Sequence, residues 1–148
     1  SFESSINGRE CRVIFPSDAD LGYLYVQEAI MNSVRELLKK RAEIVFPQKL
    51  KQVSERIGVP YGKCKVNTRI SKAWAFFIPS TRDIEISLSA IQLPEENLET
   101  LCVHELMHNF SGEHDGLFWK KFRELGGQHL YQLDGTHDNH RKWPTLKL

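Results

Sequence analysis

Apolar and polar positions change period along this chain, and the changes mark its elements. CRVIF (11–15) alternates weakly and stops at Pro16, which predicts a strand. Over 21–46, apolar residues recur at Leu24, Ile30, Met31, Val34, Leu37, Leu38 and Val45, the spacing of a helix that buries one face. Pro47 breaks or kinks that helix, and Leu50, Val53 and Ile57 predict a second one closed by Gly58. KCKVNTRI (63–70) and AWAFFI (73–78) read as strands, and PSTRD (79–83) has turn chemistry. In IEISLS (84–89) Ile84, Ile86 and Leu88 alternate with Glu85, Ser87 and Ser89, a third strand. Helices, then an antiparallel meander, then helices again predict the α+β class.

The last helices carry the chemistry. Pro94 suits a first helical turn, where its missing N–H costs nothing. Glu95, Glu96 and Glu99 lie near that N-terminus, where the helix dipole favours negative charge. Leu98, Leu101, Cys102, Leu106 and Met107 supply apolar surface until Ser111-Gly112 ends the run. His104 and His108 therefore stand four apart on one helix. Four residues turn the helix by about 400°, so the two imidazoles share a face about 6 Å apart along the axis. Two such imidazoles suit a tetrahedral zinc ion, and Glu105, one step round, can reach a water without taking a coordination position. This is the HExxH arrangement of two ligands and a general base. Beyond Gly112 the chain can turn, and His114, six residues after His108, is the candidate third ligand. Water would fill the fourth position of one Zn2+ per chain. A short helix over 117–125 would pack Phe118, Phe122 and Leu125 against the first, closed by Gly126-Gly127.

Composition narrows the setting. The 148 residues fit one domain, and a net charge of +1 gives no global field towards nucleic acid or membranes. Mean hydropathy is −0.41, and no apolar run approaches the roughly 20 residues of a membrane span. SFESSINGRE shows no basic segment leading into an apolar one, so no secretory leader is visible. Cys11, Cys64 and Cys102 make neither a disulfide framework nor a CxxC pair, and a cytoplasmic setting is expected. The basic run KKR (39–41), with Lys49, Lys51 and Arg56, reads as a solvated helix face.

HELMHNFSGEHDGLFW (104–119) resembles the metal motif of the YgjP-like metallopeptidase family, small zincins related to the SprT-like group. That family's pattern is HExxH, five residues, His, three residues, then Phe-Trp, and Phe118-Trp119 stands at that place. AEIVFPQKLKQVSERIGVPYGKCKV (42–66) resembles the family's helix and first strand, and DIEISLSAIQLPEENLETLCVHEL (83–106) its strand, loop proline and metal helix. The likeness spans roughly 35–127. A Trp-Gly-Ser-Cys stretch common in the family is here Trp74-Ala75-Phe76-Phe77, keeping only the Trp. VHELMHNFSGEHD also resembles the WLM-type proteases that act on DNA–protein crosslinks, although the upstream sequence fits the YgjP-like pattern better.

The resemblance implies a mini-zincin, gluzincin-like fold, in which a small antiparallel-containing sheet and helices surround the HExxH helix. It implies a zinc metallopeptidase acting on peptide or protein substrates, with Glu105 as general base. Nucleoside triphosphate hydrolysis, or a DNA-associated SprT/WLM-like protease, are the alternatives. Strand 84–89 is expected along the cleft, with a free edge for an extended substrate. Asp115 either hydrogen-bonds a ligand imidazole or caps the helix starting near Gly116. His129 and Tyr131 are the nearest downstream candidates for an oxyanion donor. One domain over 1–148 is expected, with its core at about 21–127 and a polar surface tail at 134–148. A sharper expectation folds that tail over the cleft with Trp143 as its anchor.

Overall fold

The computed structural model describes residues 3–7, 10–14, 17–18, 22–69 and 72–144. Phe15, Pro16, Leu21 and Ile70 of the expected elements, and positions 145–148 of the expected tail, lie outside these. Strands Glu3–Asn7 (β1) and Glu10–Ile14 (β2) pair antiparallel. Helix Leu24–Ile57 (α1) follows, then strands Cys64–Asn67 (β3), Ala75–Ile78 (β4) and Asp83–Ser87 (β5). A 3-10 turn over Leu88–Gln92 leads into helix Glu95–Met107 (α2). Helix Gly116–Lys121 (α3) runs into a π turn at Phe122–Gly126, and helix Gln128–Asp134 (α4) precedes a 3-10 turn at Thr136–Asp138.

Pro47 does not divide the first helix in two: α1 runs through it as one element. The buried stripe Ala42, Phe46, Leu50, Val53 stays in phase across the proline, so both halves face the same core. Lacking an N–H, Pro47 leaves the Glu43 carbonyl without its helical donor, at a cost of about 3 kcal/mol. Burying Phe46, Leu50 and Val53 completely returns about 1.5–3 kcal/mol each, which outweighs it.

The sheet is mixed, in the order β3-β5-β4, and is not an antiparallel meander. β4 and β5 form a hairpin, whereas β3 pairs parallel to the far edge of β5, with Cys64 opposite Ile84 and Asn67 opposite Ser87. β5 takes the centre because Asp83, Ile84, Ile86 and Ser87 are all buried, and a strand covered on both faces cannot serve as an edge. The expectation of a free edge on strand 84–89 is thereby overturned: both its edges are paired, and the outer strands of the sheet are β3 and β4. The strand also stops at Ser87, whose Oγ accepts from Ser89 N and starts the 3-10 turn.

α2 lies across α1 in one core that also holds Ile84, Ile86, Leu88, Phe118 and Phe122. Two of the basic residues expected on a solvated face instead tie these helices: Lys49 Nζ lies 2.8 Å from Glu95 Oε1, and Arg56 pairs with Glu99. Within residues 134–144 of the expected surface tail, one polar and one aromatic side chain are buried. Asp134 is completely buried, and Trp143 is buried against Trp74 at 6.2 Å between ring centroids. Among the described residues no helix is long and apolar enough to cross a membrane.

Candidate metal centre

α2 brings the first two histidines together. It ends at Met107, earlier than Ser111-Gly112, and His108 is its C-cap with φ −65° and ψ −10°. That backbone is still helical, so His104 and His108 keep the same face, 5.6 Å apart between ring centroids. Ser111 organises the turn that follows. Its carbonyl accepts from His108 Nδ1 at 3.0 Å, and its hydroxyl donates to Asp115 Oδ2 at 2.8 Å. Asp115 Oδ1 accepts from Phe118 N at 3.0 Å, so this residue is the N-cap of α3. The turn swings His114 back to 4.8 Å from His104 and 5.0 Å from His108, between ring centroids.

One nitrogen from each of His104, His108 and His114 lies within 4.8 Å of the others, a group able to hold a metal ion. His104 Nδ1 donates to Asp134 Oδ2 at 2.7 Å, which leaves its Nε2 as a lone pair. That Nε2 is 2.9 Å from His114 Nε2. His114 Nε2 can meet that lone pair as an N–H donor, or both nitrogens can turn their lone pairs to one cation. His108 likewise spends Nδ1 on Ser111, which leaves Nε2 as its free ring nitrogen. A tetrahedral ion with metal–nitrogen bonds of about 2.0–2.1 Å spaces its ligands about 3.3 Å apart. Three imidazole nitrogens within 4.8 Å of one another are a donor set that suits a divalent ion of the zinc kind, after small adjustments of the rings. Burial holds all three imidazoles below their ordinary pKa, towards the neutral form that binds metals.

Each sequence candidate has a definite place. Glu105 is buried beside the trio, where desolvation pushes its carboxyl up to about 8 against the opposing charge of Arg141. His129 is solvent-exposed and bonds Glu96 Oε2 at 3.0 Å near the start of α2, apart from the trio. Tyr131 stacks on His137 at 4.0 Å, and Trp119 stands between it and His114. Phe118 is the floor of the site, 4.9 Å from each of the three imidazoles.

Two residues at the centre escape a sequence reading. Asp134 contacts His104 directly, and Arg141 Nη2 lies 3.1 Å from the same Asp134 oxygen. Burial opposes ionisation of Asp134, but the His104 hydrogen bond and the charges around it hold its carboxyl at about 2. Burial pushes His104 below its ordinary pKa against the pull of Asp134, towards a neutral imidazole whose Nδ1 donates to the carboxylate. The one local signal is that Leu130 and Asp134 stand four apart, on one buried helix face.

The comparisons agree with this geometry. The family described as YgjP-like, metallopeptidase domain, matches residues 14–128. The crystal structure of the metallopeptidase zymogen of Pyrococcus abyssi abylysin is similar in fold, with a TM-score of 0.53 at 16% identity over 66% of this chain and 97% of that one. No curated protein matches the sequence. With its three clustered histidines inside the matched span, this chain belongs to the YgjP-like family and is a metallopeptidase.

Proposed function

We propose that this chain is a zinc-dependent peptidase in which His104, His108 and His114 hold one zinc ion and Glu105 is the general base. The observation that carries the reading is the convergence of one nitrogen from each of His104, His108 and His114 within 4.8 Å, with His104 Nδ1 already committed to Asp134. Zinc held there would supply a Lewis acid that brings the pKa of a water to about 7 and polarises a peptide carbonyl. Glu105 follows His104 on α2; burial raises its carboxyl to about 8 in the metal-free chain, and a cation held by the three histidines would favour its ionised, proton-accepting form. Glu105 takes a proton as water attacks the carbonyl carbon, then passes it to the departing amine nitrogen. Phe118 and Trp119 line the His104 side of the site with hydrocarbon, while His114 on the other side is open to solvent and to a substrate.

The test separates base from ligand. Metal content and cleavage of a peptide library are measured for the wild type and for Glu105→Gln. The variant should keep about one zinc per chain and lose activity by roughly 10²-fold or more, the scale of a missing general base. Loss of zinc from Glu105→Gln would make Glu105 a ligand and defeat this reading. A wild-type protein that hydrolyses UTP and cuts no peptide would defeat the peptidase assignment in favour of the phosphoanhydride alternative.

A further inference from the structure

We infer that residues 130–143, which extend beyond the family match, are a working part of the metal centre: Asp134 is a positioning residue that fixes the His104 ring with Nε2 facing the ion, and Arg141 and Gly135 lock Asp134 in place. The inference rests on the zinc reading above.

Asp134 is completely buried, yet each of its acceptors is occupied. Oδ2 accepts from His104 Nδ1 at 2.7 Å and forms an ion pair with Arg141 Nη2 at 3.1 Å. Oδ1 accepts from Thr136 N at 3.1 Å and from the Thr136 hydroxyl. The Asp134 carbonyl accepts from Arg141 Nε at 2.7 Å. The carboxylate therefore cannot turn without breaking several bonds, and the imidazole that donates to it is fixed with it.

A tight loop makes this possible. Gly135 has φ 71°, and its carbonyl accepts from His140 N at 2.8 Å, closing the loop so that the chain returns to Asp134. A Cβ at Gly135 would lie 2.7 Å from Arg141 N and Cα, so only glycine admits the return. Arg141 is fixed from its other side by the Trp143 ring, 3.9 Å from the guanidinium carbon.

Stability alone gives little reason for this arrangement. A buried ion pair is commonly neutral or worse than apolar residues of similar volume, because both charges must leave water. Metal ligation gives a reason. A carboxylate accepting from the non-ligating imidazole nitrogen fixes the tautomer, orients the ring and raises the basicity of the ligating nitrogen. His104 is also the most buried of the three histidines, where a misplaced ring has least freedom to recover.

The experiment uses the full chain. Zinc affinity is measured by competition with a chromophoric chelator for wild type, Asp134→Asn, Arg141→Gln and His104→Ala. The melting temperature of each metal-free variant reads folding independently, and the visible spectrum of the cobalt-loaded forms reads coordination geometry. Asp134→Asn leaves the buried Arg141 guanidinium without its countercharge and should melt lower without metal; at a temperature where its metal-free form is folded, it should bind zinc roughly 10–100-fold more weakly and show a changed cobalt spectrum. Arg141→Gln should weaken zinc in the same direction and by less; it also carries the test should Asp134→Asn not fold. If His104→Ala loses zinc while the folded Asp134 or Arg141 variant binds it like the wild type with an unchanged spectrum, this inference is wrong and the zinc reading stands. If His104→Ala itself retains zinc, the zinc reading fails and this inference falls with it.

Discussion

Phe118 meets His114 edge to face at a right angle, 89° between ring planes and 4.9 Å between centroids, while its ring also touches His104 and His108. The side chain is fully buried, so it serves the core and the metal centre together. Phe118→Ala should therefore cost about 3–5 kcal/mol in chemical denaturation, the usual range for an emptied aromatic site. Phe118→Leu should cost less yet still weaken zinc, because a branched aliphatic chain cannot back all three rings. Zinc binding unchanged in Phe118→Leu would show that the rings need no such floor.

A metal bound only by the folded chain must raise its stability. At a free zinc concentration about 1,000 times Kd the gain is about 4 kcal/mol, and chelation removes it. The melting temperature should accordingly rise with added zinc and fall with chelator. His108→Ala and His114→Ala should each abolish that response, since each supplies one of the three clustered nitrogens. A variant that still responds to zinc like the wild type would remove that histidine from the ligand set.

Gly62 packs where no side chain fits. A Cβ there would lie 2.4 Å from Asp83 Oδ1 and 2.5 Å from the Thr81 carbonyl, on the turn that leads into β5. Gly62→Ala must push the β4–β5 turn away, at about 1–3 kcal/mol for overpacking of this kind. Equilibrium denaturation checks it; an unchanged midpoint would mean that the turn yields freely.

The sequence was most legible where one periodicity served one purpose. The spacing of His104, His108 and His114 could be read because helix geometry and one glycine turn determine where those rings go. Pro47 misleads because its local cost is visible, whereas the shared burial of Phe46 and Leu50 that overrides it is tertiary. The parallel pairing of β3 with β5 was hidden for a similar reason: three short strands allow several orders, and burial on both faces of β5 selects one. Asp134 was hidden most deeply. It sits in a polar stretch, LDGTHDN, and becomes part of the site only when α4 packs on α2.

Asp83 links the sheet to pH. The Lys63 backbone N–H donates to its Oδ1 at 2.7 Å, and with the nearby Lys65 ammonium this holds the carboxyl below the usual carboxylate range despite its burial. A depressed folded pKa means that the stabilisation is fully present above the unfolded value of about 3.9 and is lost as pH falls through the folded value. Asp83→Asn should thus be less stable than the wild type near neutrality, and the two should converge below about pH 4. Unfolding curves collected from pH 7 to pH 3 test the sign. A gap that stays constant over that range would assign the loss to packing and not to the carboxylate.

Trp143 anchors the stretch that carries Arg141. Its ring lies 6.2 Å from Trp74, its Nε1 donates to the Leu133 carbonyl at 3.0 Å, and only 7% of the residue is exposed. Trp143→Ala removes the ring and leaves a hole beside Trp74, which should cost about 3–5 kcal/mol. Trp143→Phe keeps most of the apolar area but strands the Leu133 carbonyl without its donor, at about 1–3 kcal/mol for an unsatisfied buried acceptor. The two variants should therefore fall in that order below the wild type in denaturant midpoint. Limited proteolysis adds a second reading, because a released anchor exposes the backbone around 135–144 and should yield cleavage there before global unfolding. If Trp143→Ala keeps both the wild-type midpoint and the wild-type resistance at those positions, the indole is no anchor and another contact holds the segment on the domain.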